Sequence, residues 1–553
     1  MVIYVTVTTS RLVLALVAML VAAFMVNILR GLITRIAKRT TLRNVRGPES
    51  QSFLSGNLQD LYGEDGLHHL EALSEYGGVA KVHGLLGDVL LAISDPYALA
   101  HILVKNPQKY PAVDISGTLD MHMYFTGPGL ISSNGPEHRR QRKLLNPAFS
   151  LTHIRRLTPL IYGVACQLRE SIARYVTEHK PANGRVCHIN LADFLGRAAL
   201  EVVTQAGFGH TFRALADEGA GDKCARAFKD FTPTVSKLGP AIPLFAISGA
   251  LRLPPRLLRL LGIAMSLVSP DLRHLMHIID VIHDEIRSAW ETHKVTRTSS
   301  KERKDLLLGA LLDANEDGSV SDRELTAQAI TLMFAGTETT STALCRILYS
   351  LAMHPSVQAK LREEILQALA SAEGHGDGVG LQYEALMALP FLDAVCKETL
   401  RVFPPAPYRR RRCIEGDLLP LSDGRVLYIP AGAEILTNIH GINTDIKIWG
   451  PDAKIWRPGR WMKPLPQSVS ESNVPGVYSN LLTFLAGPKA CIGVNFALLE
   501  MKTVLATVLP TFTFTLPTDC DIEWRFGEAI TPSVKGENGF NPRMPLGVKY
   551  HVE

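Results

Sequence analysis

No Cys-x-x-Cys pair occurs in this chain, and its eight cysteines, at 166, 187, 224, 345, 396, 413, 491 and 520, are widely spaced. That spacing argues against a disulfide framework or a zinc finger, and for reduced thiols in a cytosol-facing protein. No polybasic tract is long enough for nucleic-acid binding, and the net charge over 553 residues is only +5, so nucleic acid is not an expected partner. A Gly-rich dinucleotide fingerprint is also missing. There is no internal repeat and no long low-complexity segment, so nothing suggests a repeat architecture. The chain is 46% hydrophobic and 20% charged, and long enough to bury a large core.

From Leu12 to Leu29 the chain is apolar except for Asn27, just long enough to cross a bilayer. No convincing small-residue cleavage site comes after it, so a transmembrane anchor is expected rather than a cleaved secretory signal. Arg30, Arg35, Lys38, Arg39, Arg43 and Arg46 crowd its C-terminal side, against Arg11 alone on the other. The positive-inside rule then predicts a single-pass protein of the endoplasmic reticulum membrane with its body in the cytoplasm. Gly47-Pro48 and Ser55-Gly56-Asn57 mark a hinge. The expected organisation is therefore residues 1–46 as anchor and basic collar, and 47–553 as the body.

Within the body, apolar runs over 79–94 predict paired strands with a turn at Gly87-Asp88. Most of the chain beyond residue 94 has helical periodicity. Phe484-Leu485-Ala486-Gly487-Pro488-Lys489-Ala490-Cys491-Ile492-Gly493 holds one cysteine between two glycines just ahead of a helical segment. A cysteine at a helix start has its anion favoured by unpaired N–H groups and the helix dipole, and Gly487 and Gly493 would let the backbone pass beneath a flat cofactor. An inert buried cysteine beside a glycine turn is the plain alternative. The pattern Phe-x-x-Gly-x-x-x-Cys-x-Gly, leading into a helix rich in Ala and Leu, resembles the haem-binding signature of the cytochrome P450 family. The resemblance extends over nearly everything after the hinge.

Other segments gain meaning from that resemblance. Gly135 to Leu145 packs cations onto one helix, by itself an ordinary solvated face. The family has a Trp-x-x-x-Arg pair here that binds a haem propionate, and this chain offers His138 and Arg142. Imidazole keeps an N–H donor, but its bond would depend on pH because histidine titrates near neutrality. Arg139, Arg140 and Lys143 would suit an acidic electron donor. Residues 238–261 are apolar with interspersed arginines, matching either a helix–loop–helix core or a segment that dips into lipid.

Ser321 and Glu324 match a capping box opening a long helix that ends before Pro355. Inside it, Ala335-Gly336-Thr337-Glu338-Thr339-Thr340 should weaken the helix and open its groove. The family's oxygen-activation motif has this form, which implies that Thr339 hydrogen-bonds dioxygen and Glu338 feeds a proton relay. Glu398 and Arg401 sit at i, i+3, and Arg460 supplies a third partner in Arg457-Pro458-Gly459-Arg460-Trp461. Here Gly459 and Trp461 replace the family's usual Glu and Phe. The cluster is expected to be buried and structural, fixing the loop that carries Cys491. Of Arg409 to Arg412, Arg411 would reach a haem propionate, while Arg409 and Arg410 would line the substrate pocket. Leu421 to Leu436 reads as a hairpin turning at Asp423-Gly424.

The resemblance implies a mainly α body with a small β region, the P450 fold, preceded by the transmembrane helix. It implies haem b with Cys491 as iron ligand. Lys489 stands where the family usually has Arg, keeping the charge but not the planar fork. The expected reaction is insertion of one oxygen atom from O2 into an apolar substrate. The electrons would come from NADPH-cytochrome P450 reductase, with cytochrome b5 as a second donor. Secondary-metabolite, terpenoid-like substrates are expected. Xenobiotic or hydrocarbon hydroxylation and a reductase-independent peroxide isomerase are the alternatives.

Overall fold

The long central helix begins where the sequence places its cap. Ser321 Oγ accepts a hydrogen bond from the Glu324 amide at 3.2 Å, satisfying one of the donors orphaned at a helix start. The Glu324 carboxylate turns to Arg140 at 2.5 Å. The computed structural model describes residues 26, 31 and 33–551, apart from 62, 64, 115–118, 180–185, 217–222, 239–254, 297–304, 373–379, 528 and 538–540. The expected anchor over Leu12–Leu29, but for Val26, and most of 238–261 lie outside the described residues. Among the described residues, the one helix apolar and long enough to cross a membrane is Gly487–Val508, 67% buried inside the fold.

The helices that position the site are α1 (Gly135–Leu145), α2 (Thr158–Glu178), α3 (Leu191–Phe208), α4 (Lys223–Lys237), α5 (Pro270–Thr296), α6 (Asp322–Met353), α7 (Pro390–Val402) and α8 (Val494–Val508). Leu325, Ala329, Ile330, Leu344, Ile347 and Leu351 of α6 are all at most 1% exposed, so this helix is enclosed on nearly every side, as a central core helix must be. α3 and α8 lie against it, and α2 packs on both. The body is mainly α.

The β region consists of β1 (Val79–His83), β2 (Val89–Ile93), β3 (Cys187–Asn190), β4 (Tyr408–Arg412), β5 (Asp417–Pro420), β6 (Val426–Ile429), β7 (Glu434–Asn438), β8 (Phe512–Thr515), β9 (Ile522–Arg525), β10 (Thr531–Val534) and β11 (Pro545–Tyr550). The largest sheet has the order β1-β2-β7-β4, with a parallel β2/β7 pair between two antiparallel ones. β1 and β2 form the hairpin expected over 79–94. The hairpin expected over 421–436 is drawn differently. β5 and β6 flank the Asp423-Gly424 turn, and Pro430, which has no N–H for a ladder, comes directly after the end of β6. Residues 434–438 instead join the large sheet, where Glu434 faces Arg410 and Arg412 of β4 at 3.7 and 2.6 Å.

The basic collar is also knitted to the body. Lys38 pairs with Asp88, Leu42 is 0% exposed within an apolar cluster, and the Lys81 amide donates to Arg46 O at 2.7 Å. Contacts with the body thus begin ahead of Gly47-Pro48.

Gly336 does not break α6, which runs unkinked by any non-helical residue from Asp322 to Met353. Its role is closeness: a Cβ there would stand 2.6 Å from Val203 Cγ2 of α3. Gly336→Ala is therefore expected to lower the thermal midpoint, an overpacking cost of about 1–3 kcal/mol. Val203→Ala in the same chain should restore it. Without the clash, Gly→Ala in a helix would stabilise by about 1 kcal/mol, so the sign of the shift decides.

Candidate active site

The loop before α8 is shaped by its own backbone. The Cys491 amide donates to Phe484 O at 2.9 Å and the Ala490 amide to Gly487 O at 3.0 Å. Gly487 has φ +66, and a Cβ on it would lie 1.9 Å from Leu103 O, so only glycine lets the loop dock there. The close approach is to protein backbone rather than only to a cofactor. At Gly493 a Cβ would meet nothing nearer than 3.8 Å. Phe484 packs edge-on against Tyr478 at 5.5 Å.

Cys491 lies three residues ahead of the first residue of α8, not at the helix start itself. Its thiol is pushed up by burial, against the opposing pull of the Gly493 amide, Arg142 and Arg409. Helix position alone therefore does not make the thiolate, and a bound metal cation is what would complete it. Cys491 is exposed although it lies deep in the fold, because it opens onto a cavity of about 1520 Å³. The usual ligand pocket is about 300–1,000 Å³, so there is room here for a large planar group and a substrate together. Phe484, Lys489 and Gly493 line the same cavity, and from α6 so do Glu338, Thr339 and Thr340.

On α6, Thr339 Oγ1 donates to Ala335 O at 2.7 Å and Glu338 Oε1 accepts from Thr232 Oγ1 at 3.4 Å. Thr339 thus bonds back onto its own helix, which stays helical through this stretch.

Beside the cysteine loop stand four basic residues. Arg142 Nη1 donates to Ala490 O at 2.5 Å, Lys489 Nζ donates to Ser133 O, and Arg411 Nη1 donates to Arg410 O at 2.9 Å. Burial, then Arg411 and Arg142, push Lys489 down to about 7. Burial, then Arg409, push Arg411 down to about 10. Burial, then Lys489, Arg142 and Arg411, push His138 down to about 4. His138 is thus neutral across the physiological range, so the pH dependence near neutrality expected of it does not arise at this imidazole. Each shift comes from burial and from the other cations, so the cluster is unbalanced positive charge awaiting an anion. That donor set fits the two carboxylates of a haem. Lys489 lines the main cavity, whereas His138, Arg142 and Gly487 border a smaller hollow of about 300 Å³.

The register of β4 separates the four arginines. Arg410 and Arg412 share a face and both approach Glu434. Burial alone would raise the Glu434 carboxyl, but these two arginines and Lys38 hold it below its ordinary value. Arg409 shares the face of Arg411. On α1, the exposed Arg140 is taken up by Glu137 and Glu324, and Arg139 and Lys143 are exposed cations outside that pairing.

Glu398 and Arg401 are both 0% exposed and Arg460 only 6%. Arg401 grips Glu398 through Nε and Nη2, each at 2.9 Å, and Arg460 Nε reaches it at 3.3 Å. Two partners were not legible in the sequence. Asp452 receives Arg460 Nη1 at 2.8 Å, standing in for the acid absent at Gly459. Trp461 Nε1 donates to Glu398 Oε2 at 2.9 Å, a bond no phenylalanine could make. Arg401 Nη1 also donates to Asn443 O at 2.9 Å. The Asn443 side chain in turn holds the Leu482 amide at 2.9 Å and Thr483 Oγ1 at 2.8 Å, at the foot of the cysteine loop. Trp461→Phe is expected to cost about 1.5–3 kcal/mol, as loss of a hydrogen bond to a charged group. Arg401→Ala should cost about 3–5 kcal/mol by stranding a buried carboxylate. Urea unfolding of both variants checks the order.

The cytochrome P450 family matches residues 46–536. Cytochrome P450 monooxygenase 81 of Postia placenta is 39% identical over 545 residues, covering 95% of this chain and 96% of its own length. Cytochrome P450 monooxygenase 91 of the same fungus is 37% identical, covering 94% and 96%. Ganoderic acid synthetase of Ganoderma lucidum is 35% identical, covering 93% and 95%. Relatives matched almost end to end agree with a cysteine loop set against a hydroxyl-bearing central helix: this chain belongs to the cytochrome P450 family and is a haem-using P450 monooxygenase.

Proposed function

We propose that this enzyme inserts one oxygen atom from O2 into an apolar, terpenoid-like intermediate of secondary metabolism, using electrons delivered from NADPH by NADPH-cytochrome P450 reductase. The observation that carries this reading is that Cys491 and the Glu338-Thr339 pair line one large, mostly apolar cavity. The ganoderic acid synthetase among its relatives supports the metabolic setting.

A haem held by a thiolate supplies electron density that favours O–O cleavage. The chain's own residues supply the rest. Cys491 is the ligand. Arg142, Arg411 and Lys489, with neutral His138 as a hydrogen-bonding neighbour, hold the propionates. Phe484, Gly487 and Gly493 shape the loop around the sulfur. Thr339 Oγ1 donates a hydrogen bond to Ala335 O at rest and lines the cavity, so its lone pairs are available to accept and relay a proton there, with Glu338 as the acid behind it. Glu398, Arg401 and Arg460 keep the loop in place.

Residues 1–46 serve as anchor and collar and 47–553 as the catalytic domain, on the cytoplasmic side of the endoplasmic reticulum membrane. Exposed apolar side chains support contact with lipid. Phe53 and Leu54 are each 66% exposed beside Leu86 at the β1/β2 turn, and Leu267 and Val268 are 74% and 85% exposed. Arg139 and Lys143 suit the reductase, and cytochrome b5 as a second donor.

Co-expression with a reductase and metabolite profiling test the activity. Cys491→Ala should abolish both product and the reduced carbon monoxide band of a thiolate-ligated haem; product that persists would overturn the ligand assignment. Lys489→Met should speed haem transfer to apomyoglobin several-fold, and Lys489→Arg, which restores a planar fork, should slow it.

A further inference from the structure

α4 carries Pro233 inside its helical span. A proline there has no N–H for the carbonyl four residues back, and its ring disfavours helical geometry at the residue before it, Thr232. The loosened turn faces the cavity, which Phe231, Thr232 and Val235 line. Phe231 and Phe228 both pack on the Phe334 ring of α6, with centroids 4.4 and 4.6 Å away. One turn along α6, Glu338 accepts the bond from Thr232 at 3.4 Å. α4 thus meets α6 at an apolar contact and a polar one, a single turn apart, and the polar one falls on the only carboxylate in the Ala335–Thr340 segment.

We propose that Thr232 is a positioning residue for Glu338, tying the orientation of the carboxyl to whatever fills the space beneath α4. This rests on Glu338 being the relay acid. The hydroxyl engages one oxygen of a carboxyl that itself lines the cavity. At 3.4 Å the bond lies near the end of the useful range, so a small displacement of α4 makes or breaks it. A substrate pressing on Phe231 moves that ring and Thr232 together, since they are adjacent on the loosened turn. Proton delivery is thereby matched to an occupied cavity.

The test uses holoenzyme with reductase and the substrate found by profiling, in wild type, Thr232→Val, Thr232→Ser, Glu338→Gln and the Val/Gln double variant. Two quantities are read: hydrogen peroxide released per NADPH, and amide hydrogen exchange across α4. Thr232→Val, nearly isosteric, should raise the peroxide fraction several-fold and speed exchange around Thr232. Thr232→Ser should behave as wild type, and Val should add nothing on top of Glu338→Gln. Coupling unchanged in Thr232→Val while Glu338→Gln uncouples overturns the role of Thr232. Additive effects in the double variant do so as well, since they would mean Thr232 acts by packing alone. If Glu338→Gln stays fully coupled, the relay reading of Glu338 fails and this proposal with it.

Discussion

A carboxylate sealed from water sets the terms for the cysteine side of this fold. Glu398 is 0% exposed, and a buried charge short of partners costs several kcal/mol. Its oxygens therefore collect Arg401, Arg460, the Trp461 indole and the Arg457 amide. These donors come from α7 and from the segment around 457–461, so the two are locked together. Arg401 then reaches Asn443, and Asn443 holds Leu482 and Thr483. A chain of buried polar contacts thus runs from a salt bridge in the interior to the foot of the loop that carries Cys491.

The contrast with the second buried charge system separates structure from binding. Around Glu398 the charges are matched by the protein itself. Around Lys489 they are not: burial pushes Arg142 down, and burial followed by like charge pushes Arg411, Lys489 and His138 down. Such a cluster is costly unless an anion completes it. A closed network holds a fold, whereas an open one of a single sign, beside a cavity, is a receptor.

How much of the fold and site was legible in the sequence depends on which forces are local. The cap at Ser321 and the long helix rest on near neighbours in the chain and were readable from periodicity and residue type; the cysteine loop was readable from its residue pattern, though Leu103 and Asn443, distant in sequence, hold it. Partner choice across the fold was not. Asp452 replaces the acid missing at Gly459 from seven residues upstream, by a loop path that no spacing rule describes. Trp461 reads as an aromatic substitution, yet its N–H is what matters. Strand 434–438 reads as one arm of a local hairpin, but Glu434 gains more from Arg410 and Arg412 in another sheet. The neutrality of His138 likewise depends on burial and then on three cations brought in from α1, β4 and the cysteine loop.

The central helix shows how a functional break can be carried without a structural one. Hydroxyls and a carboxyl in the middle of a buried helix are costly if left unsatisfied. Thr339 meets the problem by donating a hydrogen bond to Ala335 O and Glu338 by accepting one from α4, while Thr337 Oγ1 has no hydrogen-bond partner among the described residues. Gly336 removes the side chain that would hold α3 away, so the weak stretch is packed tightly from behind. The polar capacity of the helix is therefore stored in bonds that rotation of a side chain can release while the backbone stays in place. The wall of α4 that lines the cavity is also the wall that bonds the Glu338 carboxyl.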